Sequence, residues 1–328
     1  MNILVTGGAG YIGSHAVRLL SRAGHDVWVY DNLSLGHAAA VPEGKLVVGE
    51  LADREKLSQT LTERRIEAVM HFAAFAAVGE SVIDPAKYYQ NNVVASLALL
   101  EAMRSAGVSR IVFSSTTATY GEPEHMPISE DEPQRPINPY GFAKLVIERA
   151  LADYARAYGF GYAALRYFNA AGASPDGDIG EDHSPESHLV PLVLQVALGQ
   201  RGRITIFGDD YPTPDGTCVR DYVHVDDLAA AHVEALARLG QGTKIELNLG
   251  TGRGHSVRQV IDACRRVTGH AIASEIGPRR AGDPPELVAD ARRAGELLGW
   301  RPKYTELETI VETAWRWHST HPRGYADR

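Results

Sequence analysis

Short apolar runs alternate with helix-length amphipathic segments through the first half of the chain. The runs read ILVTG, HDVWVYD, GKLVVGE, IEAVMHFAA, SRIVFSS and GYAALRYFN. They are rich in aliphatic and β-branched residues, as expected of strands that are buried on both faces. Strands separated by helices predict parallel pairing through right-handed crossovers, and therefore an α/β fold with a doubly wound parallel sheet.

The pattern changes after residue 169, where ASPDGDIGEDHSPES forms a loop rich in glycine, aspartate and proline. Later apolar runs are shorter and more broken. We expect residues 1–170 to form one domain and residues 171–328 to form a smaller mixed α/β lobe, and the pattern leaves open that some later segments return to the first domain. The lobe should lie over the carboxyl ends of the strands, where open α/β sheets bind their ligands.

Composition narrows the classes of function. The chain has 328 residues, of which 44% are hydrophobic, and a net charge of −8 at pH 7. That charge gives no general attraction to nucleic acid or to anionic membranes, and no apolar run reaches the roughly 18 to 20 residues needed to span a bilayer. The two cysteines, Cys218 and Cys264, do not suggest a disulfide framework or a zinc motif. Because no secretory signal is visible, the expected location is the cytoplasm.

A glycine-rich turn follows the first predicted strand. Residues 3–13 read ILVTGGAGYIG and lead into a helix. This order permits a tight turn and lets backbone N–H groups at the helix start approach a pyrophosphate. The next strand ends in Asp31, whose carboxylate can accept hydrogen bonds from an adenosine ribose and would repel a 2′-phosphate. We therefore expect a Rossmann-type sheet that binds NAD rather than NADP.

A tyrosine and a lysine lie one helical turn apart in NPYGFAK, at Tyr140 and Lys144. A tyrosine of pKa about 10 is a poor base at neutral pH. A nearby ammonium and the positive nicotinamide ring would favour the phenolate, and lowering the pKa by about three units corresponds to about 4 kcal/mol. Thr116, at the end of the fifth strand, can bond the same reacting oxygen. This set predicts removal of an alcohol proton together with hydride transfer to NAD.

Two other interpretations carry less weight. His224, Asp226 and Asp227 in YVHVDDLA lack a complete set of metal ligands, so the aspartates are expected to cap a helix and no metal site is expected. A non-catalytic regulator that senses NAD would keep the glycine turn but would have no use for the tyrosine, the lysine and the threonine together. An enzyme is the better interpretation.

An ordered set of motifs extends the picture to nearly the whole chain. The motifs are TGGAGYIGSH, YDNLS, MHFAA, AVGESV, YYQNNV, FSST, NPYGFAK, RYFNAAGA, DGTCVRDYVHV, NLGTG and PRRAGDPPELVAD. Together they resemble the extended short-chain dehydrogenase/reductase family, and within it the nucleotide-sugar 4-epimerases. The resemblance implies interconversion of UDP-galactose and UDP-glucose through a 4-keto intermediate with tightly bound NAD. It also implies a homodimer that pairs helices spanning residues 85–106 and 140–158.

The resemblance implies roles for residues at matching positions. The implied catalytic residues are Thr116, Tyr140 and Lys144. The implied cofactor contacts are Gly7, Gly10, Tyr11, Ile12, Asp31, Asn32, Glu50, Leu51, Phe72, Ala73, Asn91, Tyr140, Lys144 and Tyr167. The implied substrate contacts are Thr116, Asn169, His188, Leu189, Phe207, Arg220, Tyr222, Arg280, Asp283 and Leu287. The two arginines would face the diphosphate, which suits the fork of a guanidinium.

Four positions depart from the family pattern. Glu50 stands where an aspartate usually holds the adenine, Ala76 replaces a lysine near the cofactor phosphates, and His188 replaces an asparagine that often binds UDP. Leu287 stands where one group of epimerases has a bulky tyrosine. Our hypothesis is that this smaller side chain admits an N-acetyl group, which would extend the activity to UDP-GalNAc and UDP-GlcNAc.

Related enzymes offer further alternatives. Nucleotide-sugar 4,6-dehydratases and decarboxylases begin with the same oxidation but carry acidic residues just after the catalytic threonine. Thr117 and Ala118 lack a carboxylate at this place. A 4-epimerase of UDP-xylose or UDP-glucuronate stays open, because the sequence does not locate the contacts to C5 of the sugar.

Overall fold

Seven parallel strands form the main sheet of the computed structural model, which describes residues 1–280 and 282–325. The strands of the described chain are β1 (Asn2–Thr6), β2 (Asp26–Asp31), β3 (Leu46–Val48), β4 (Ala68–His71), β5 (Arg110–Ser114), β6 (Gly161–Tyr167), β7 (Asn169–Ala171), β8 (Ile204–Phe207), β9 (Val219–His224), β10 (Lys244–Leu249), β11 (Gly254–Ser256), β12 (Ser274–Gly277) and β13 (Glu286–Leu287). The main sheet has the order β10-β6-β5-β4-β1-β2-β3. All six predicted runs lie in it, which confirms the doubly wound α/β fold.

Helices cover the sheet and build the lobe. They are α1 (Tyr11–Arg22), α2 (Arg54–Glu63), α3 (Val78–Ile83), α4 (Pro85–Tyr88), α5 (Ala95–Ser105), α6 (Pro139–Tyr158), α7 (Leu189–Ala197), α8 (Val225–Arg238), α9 (Val257–Thr268), α10 (Arg292–Leu298) and α11 (Leu307–Thr320). A π-helical stretch, Tyr89–Val94, joins α4 to α5. Among the described residues, no helix has both the length and the apolar character needed to cross a bilayer.

Two segments from the second half of the sequence lie with the main sheet. Strand β10 pairs in parallel with β6, so that Leu247 is opposite Leu165. Leu228 of α8 shares one hydrophobic core with Val5 of β1. The division of the chain near residue 170 stays a prediction. Helix α8 and strand β10 come after residue 170 but pack with the first domain, a possibility that the sequence left open.

The smaller lobe is built around short strands. Strands β7, β9, β11 and β13 form one sheet, and β8 pairs in parallel with β12. Helices α7, α9 and α11 pack together beside them around a core that includes Val193, Ile261 and Val311. Strand β7 follows β6 after a single residue, so the lobe begins directly at the carboxyl edge of the main sheet. A ligand that crosses this edge would contact both parts of the fold.

Candidate active site

The glycine turn between β1 and α1 has the close packing that a dinucleotide cradle needs. A Cβ on Gly7, which has φ +73, would lie 2.4 Å from the backbone nitrogen of Ala73, and a Cβ on Gly13 would lie 2.1 Å from the Gly7 carbonyl oxygen. A Cβ on Gly10 would have only that same oxygen nearby, at 3.4 Å, so this position faces open space. Helix α1 begins at Tyr11 without a side-chain cap. The open face and the uncapped N–H groups fit a pyrophosphate.

The carboxylate at the end of β2 is held in place by backbone donors. The amides of Ala9 and Leu33 donate to the two oxygens of Asp31 at 3.0 and 2.9 Å. Burial raises the pKa of Asp31, and these two bonds oppose the rise. A carboxylate has about four lone-pair sites, so acceptor capacity remains for ribose hydroxyls. Next to it, the side-chain amide of Asn32 donates to both oxygens of Glu50 at 3.1 and 3.2 Å.

Other residues implied for the cofactor line the same edge. Ile12 and Phe72 are partly buried and pack against the core of the main sheet. The Leu51 side chain is buried in the core on the opposite face, so any cofactor contact by this residue would come from its backbone. Asn91 lies in the π-helical stretch and, with Glu50, lines a cavity of about 270 Å³.

A lysine that the sequence did not single out lines that cavity. The Lys87 ammonium lies 2.6 Å from the Glu80 carboxylate and 4.2 Å from the ring centroid of Phe75. The cavity wall therefore carries a cation even though Ala76 replaces the lysine of the family pattern.

The three residues implied for catalysis come together where α6 begins. The Asn138 side chain caps the helix by accepting a hydrogen bond from the Gly141 amide at 2.8 Å, which places Tyr140 in the first turn. The Tyr140 phenol lies close enough to the Thr116 hydroxyl for that group to lower its pKa. One turn further, the Lys144 ammonium donates to the Ser114 carbonyl oxygen at 2.7 Å and lies 5.9 Å from the Tyr140 ring centroid.

Burial dominates the protonation of this pair. It raises the pKa of Tyr140 to about 12, although the Thr116 hydroxyl opposes the rise. It also lowers the pKa of Lys144 to about 7, against the attraction of the Glu148 carboxylate. The sequence predicts that the lysine favours the phenolate. In the chain alone, the loss of water around both groups outweighs that effect.

A buried network behind the pair escaped the sequence reasoning. The Glu148 carboxylate accepts hydrogen bonds from the Ser115 hydroxyl and from the guanidinium of Arg166, whose Nη2 is at 2.6 Å. Glu148 lies one turn beyond Lys144 on the same helix, so the helical spacing could have predicted that the two residues share a face. Tyr167, implied as a cofactor contact, has its hydroxyl 2.5 Å from the Ser114 hydroxyl.

Four residues implied for the substrate lie on neighbouring strands of the lobe. Asn169 in β7 is opposite Tyr222 in β9, and Arg220 in β9 is opposite Leu287 in β13. Leu287 is half-buried. The small sheet therefore brings the residue of the specificity hypothesis next to an arginine implied for the diphosphate.

The two arginines have different surroundings. The Arg280 guanidinium stacks over the Phe207 ring at 4.0 Å. Arg220 forms an ion pair with Asp283 and also donates to the Val219 carbonyl oxygen at 2.8 Å. A diphosphate would have to share the Arg220 guanidinium with that carboxylate.

His188 and Leu189 lie at the start of α7. The His188 Nδ1 atom is 2.7 Å from Glu181 and 3.3 Å from Glu186. Burial opposes a charge on this ring, but the two carboxylates outweigh it and raise the pKa of His188 to about 10. His183 next to it responds in the same way, with a pKa of about 9.

The capping prediction for YVHVDDLA needs a correction. The N-cap of α8 is His224, whose ring accepts from the Asp226 amide at 3.1 Å. Instead, the Asp226 carboxylate lies 2.5 Å from the Nδ1 atom of His15. The Asp227 carboxylate accepts hydrogen bonds from the backbone amides of Lys303 and Tyr304. Both aspartates lie in the first helical turn, where the helix dipole favours negative charge, but they act in tertiary contacts.

Comparison with known proteins places the fold and this site in a family. The model of the NAD dependent epimerase/dehydratase family matches residues 3–250. The chain belongs to this family. The match includes the glycine turn, the tyrosine and lysine of α6 that are implied for catalysis, and the strand β9 that carries Arg220.

Relatives within the NAD dependent epimerase/dehydratase family match over almost the full length. A UDP-glucose 4-epimerase of Halalkalibacterium halodurans is 56% identical over 99% of this chain and 98% of its own length. The UDP-glucose 4-epimerase of Brucella ovis, solved in complex with NAD, is 51% identical with a TM-score of 0.92, over 96% of this chain and 97% of that one. The enzyme of Bifidobacterium longum, solved with NAD⁺ and UDP, is 38% identical with a TM-score of 0.95, over 99% and 100% of the two chains.

Proposed function

We propose that the protein interconverts UDP-galactose and UDP-glucose by inverting C4 of the sugar, with NAD as its cofactor. The observation that carries this proposal is the meeting of Tyr140, Thr116 and Lys144 beside a glycine cradle at one edge of the sheet. Full-length similarity to UDP-glucose 4-epimerases supports it. The protein is an isomerase.

The chain's own residues account for the movement of the proton. NAD, when bound, supplies a hydride acceptor that later returns the hydride to C4. Tyr140 takes the proton of the 4-hydroxyl and gives it back after the 4-keto sugar has turned over. Thr116 holds the reacting oxygen next to the phenol, and Lys144 stabilises the phenolate. Arg220 and Arg280 retain the intermediate through UDP while its sugar ring rotates.

The decisive experiment removes one hydroxyl. Tyr140→Phe should lower kcat for UDP-galactose about 10²- to 10⁴-fold, the usual contribution of general acid–base catalysis. Tyr158→Phe is the matched control, because it removes the same group from the exposed end of the same helix. A coupled assay that follows UDP-glucose measures both. Equal rates for Tyr140→Phe and wild type would defeat the assignment.

We also propose that the sugar pocket admits an N-acetyl group beside Leu287. Leucine is smaller than the tyrosine of the restrictive epimerases. Leu287→Tyr should therefore lose turnover of UDP-GalNAc while keeping that of UDP-galactose, and Leu287→Met, similar in volume, should keep both. A wild-type enzyme that turns over only the UDP-glucose pair contradicts this proposal. The same substrate panel should include UDP-xylose and UDP-glucuronate, since a preference for either would reassign the substrate.

For the assembly, we propose a cytoplasmic homodimer formed through α5, α6 and the π-helical stretch. Tyr89 and Phe142 are 39% and 47% exposed, and their rings meet edge to face at 6.3 Å. Such an apolar surface suits a second copy of the same face. Phe142→Asp should give a monomer in light scattering, and Leu297→Asp, at an exposed apolar position on α10, should not. A monomeric wild type would refute the dimer.

Cys218 and Cys264 are both free, as suits a reducing compartment.

A further inference from the structure

Two histidines and two glutamates converge in the loop that leads into α7. Glu181, His183, Glu186 and His188 each offer one ligand atom, and these atoms all lie within 4.8 Å of one another. The mechanism proposed above assigns no role to Glu181, His183 or Glu186. His188 is implied only as a substrate contact. The Nδ1 atom of His188 is turned into the cluster.

The four nitrogen–oxygen distances within this His–Glu cluster are close to those between the ligands of a tetrahedral metal site. The Glu181 carboxylate lies 3.2 Å from the His183 Nδ1 atom and 2.7 Å from the His188 Nδ1 atom. The Glu186 carboxylate lies 3.7 and 3.3 Å from the same two atoms. Ligands placed about 2.1 Å from a zinc ion stand roughly 3.4 Å apart, and the four measured distances lie on both sides of this value.

Ordinary hydrogen bonds do not explain the convergence. Within the described chain, Oε1 of Glu181 and the Nδ1 atoms of His183 and His188 are buried without a partner in hydrogen-bond geometry. The Glu181 side chain is only 3% exposed, and a buried carboxylate is costly unless it is paired. Two imidazolium–carboxylate pairs would also be neutral overall, but they would direct an N–H along each N···O line. Buried ligand atoms that lie this close together without such bonds instead suit a shared cation.

We propose that the His–Glu cluster binds one divalent transition-metal ion, zinc by its geometry. On binding, the ion would displace the Nδ1 protons of both rings into solvent. The two neutral imidazoles and two carboxylates that result would neutralise the charge of the ion and supply nitrogen and oxygen ligands that zinc accepts. Four protein ligands close a tetrahedral site, which is typical of a structural role and not of a catalytic one.

The surroundings orient two of the ligands and leave an entry path. The amides of Ser187 and His188 donate to Oε1 of Glu186 at 2.6 and 2.8 Å, and Trp317 donates to the Glu181 carbonyl oxygen at 3.0 Å. Such outer contacts usually accompany metal ligands. The His188 side chain is 41% exposed, so an ion can reach the cluster from solvent.

The position of the cluster gives the ion a task. The His183 ring packs edge to face against Tyr11 of the glycine cradle, with centroids 6.2 Å apart. The Tyr11 hydroxyl donates to the Gly172 carbonyl oxygen at the start of the same loop. A bound ion would therefore pin the loop between the cradle and Leu189, the first residue of α7.

The test measures metal content in the full-length enzyme, purified without a chelator or a histidine tag. Mass spectrometry of the metals should find close to one equivalent of zinc. After chelation, zinc titration should show one site and should raise Tm. His183→Ala should weaken this binding by more than the roughly 10- to 100-fold that loss of an outer-shell partner costs. His125→Ala is the matched control, because His125 pairs with a single glutamate and is 81% exposed.

Two results would overturn the proposal. One is a wild-type enzyme that neither contains zinc nor takes up one equivalent after chelation. The other is a folded His183→Ala variant, checked by circular dichroism, that binds zinc as tightly as wild type does. If that variant does not fold, His188→Ala replaces it, since its side chain is the more exposed of the two histidines. Binding that His125→Ala abolishes would also contradict the assigned site.

Discussion

Replacing Glu148 with glutamine should destabilise the protein and shift its pH–rate profile. The Glu148 and Arg166 side chains are 3% and 2% exposed, and Nη2 of the arginine lies 2.6 Å from the carboxylate. The other carboxylate near Arg166 is Glu246 at 3.1 Å, which is 42% exposed. The substitution leaves the buried guanidinium with this solvated carboxylate and the Tyr120 hydroxyl, which accepts from Nη1 at 3.0 Å. We therefore expect the lower end of the range of about 3 to 5 kcal/mol that such losses cost.

The thermal effect follows from chain length. Unfolding entropy is about 2.1 cal/mol/K per residue, so 328 residues give about 0.7 kcal/mol/K. A loss of about 3 kcal/mol should then lower Tm by about 4 °C, which calorimetry can resolve. Glu124→Gln is the control, since Glu124 pairs with Arg135 and the two side chains are 60% and 71% exposed, where an ion pair contributes at most about 1 kcal/mol.

The same substitution should change catalysis through Lys144. The Glu148 carboxylate opposes the burial that holds the pKa of Lys144 at about 7, so its removal should lower that pKa further. Fewer molecules would then carry the ammonium at neutral pH, and the alkaline fall of kcat should begin at a lower pH. A Glu148→Gln variant with the Tm and the pH profile of Glu124→Gln would refute this reasoning.

Three further perturbations test the site. Gly13→Ala should lower both the NAD content and Tm, because its Cβ would lie 2.1 Å from a backbone oxygen. Gly79→Ala, in a helix with open space around the new methyl group, should lower neither. Asn138→Ala should cost about 1 kcal/mol in urea unfolding and should reduce kcat, because it removes the cap that positions Tyr140. The folded-state pKa of Lys144, about 7, lies below its unfolded value of 10.5, so the unfolded chain binds more protons between these values. We therefore expect the free energy of unfolding of wild type, minus that of Lys144→Met, to rise by on the order of 3 kcal/mol from pH 7 to pH 9.5. Urea unfolding at the two pH values measures this difference, and a difference that stays constant would contradict the lowered pKa.

The strands were predictable because of how they are buried. A central strand such as β1 is covered on both faces, so it reads as the continuous apolar run ILVT. Strand β10 alternates instead, with Lys244 and Glu246 exposed and Ile245 and Leu247 buried. That pattern identifies a strand but not its neighbour, because the pairing with β6 is decided by contacts far apart in sequence.

The site residues also fall into two groups: those with a local sequence signal and those brought together only by the fold. Tyr140 and Lys144 share a helical period, and Glu148 continues it, so one face of α6 could be read from the sequence. Its partner Arg166 comes from β6 and carries no local signal. The His–Glu cluster lies in an irregular loop whose residues follow no helical or strand period, so its convergence appears only in three dimensions.

The electrostatics of the proposed catalytic pair, Tyr140 and Lys144, show what the chain cannot do by itself. Burial leaves Tyr140 with a pKa of about 12, so using it as a base at pH 7 requires a change of about five units, or about 7 kcal/mol. Lys144, with a pKa of about 7, is only about half charged at that pH and supplies part of this energy at most. The remainder must come from charges and hydrogen bonds that arrive with the ligands. A phenol that becomes a base only in the filled site does not give up its proton to solvent before a sugar is in place.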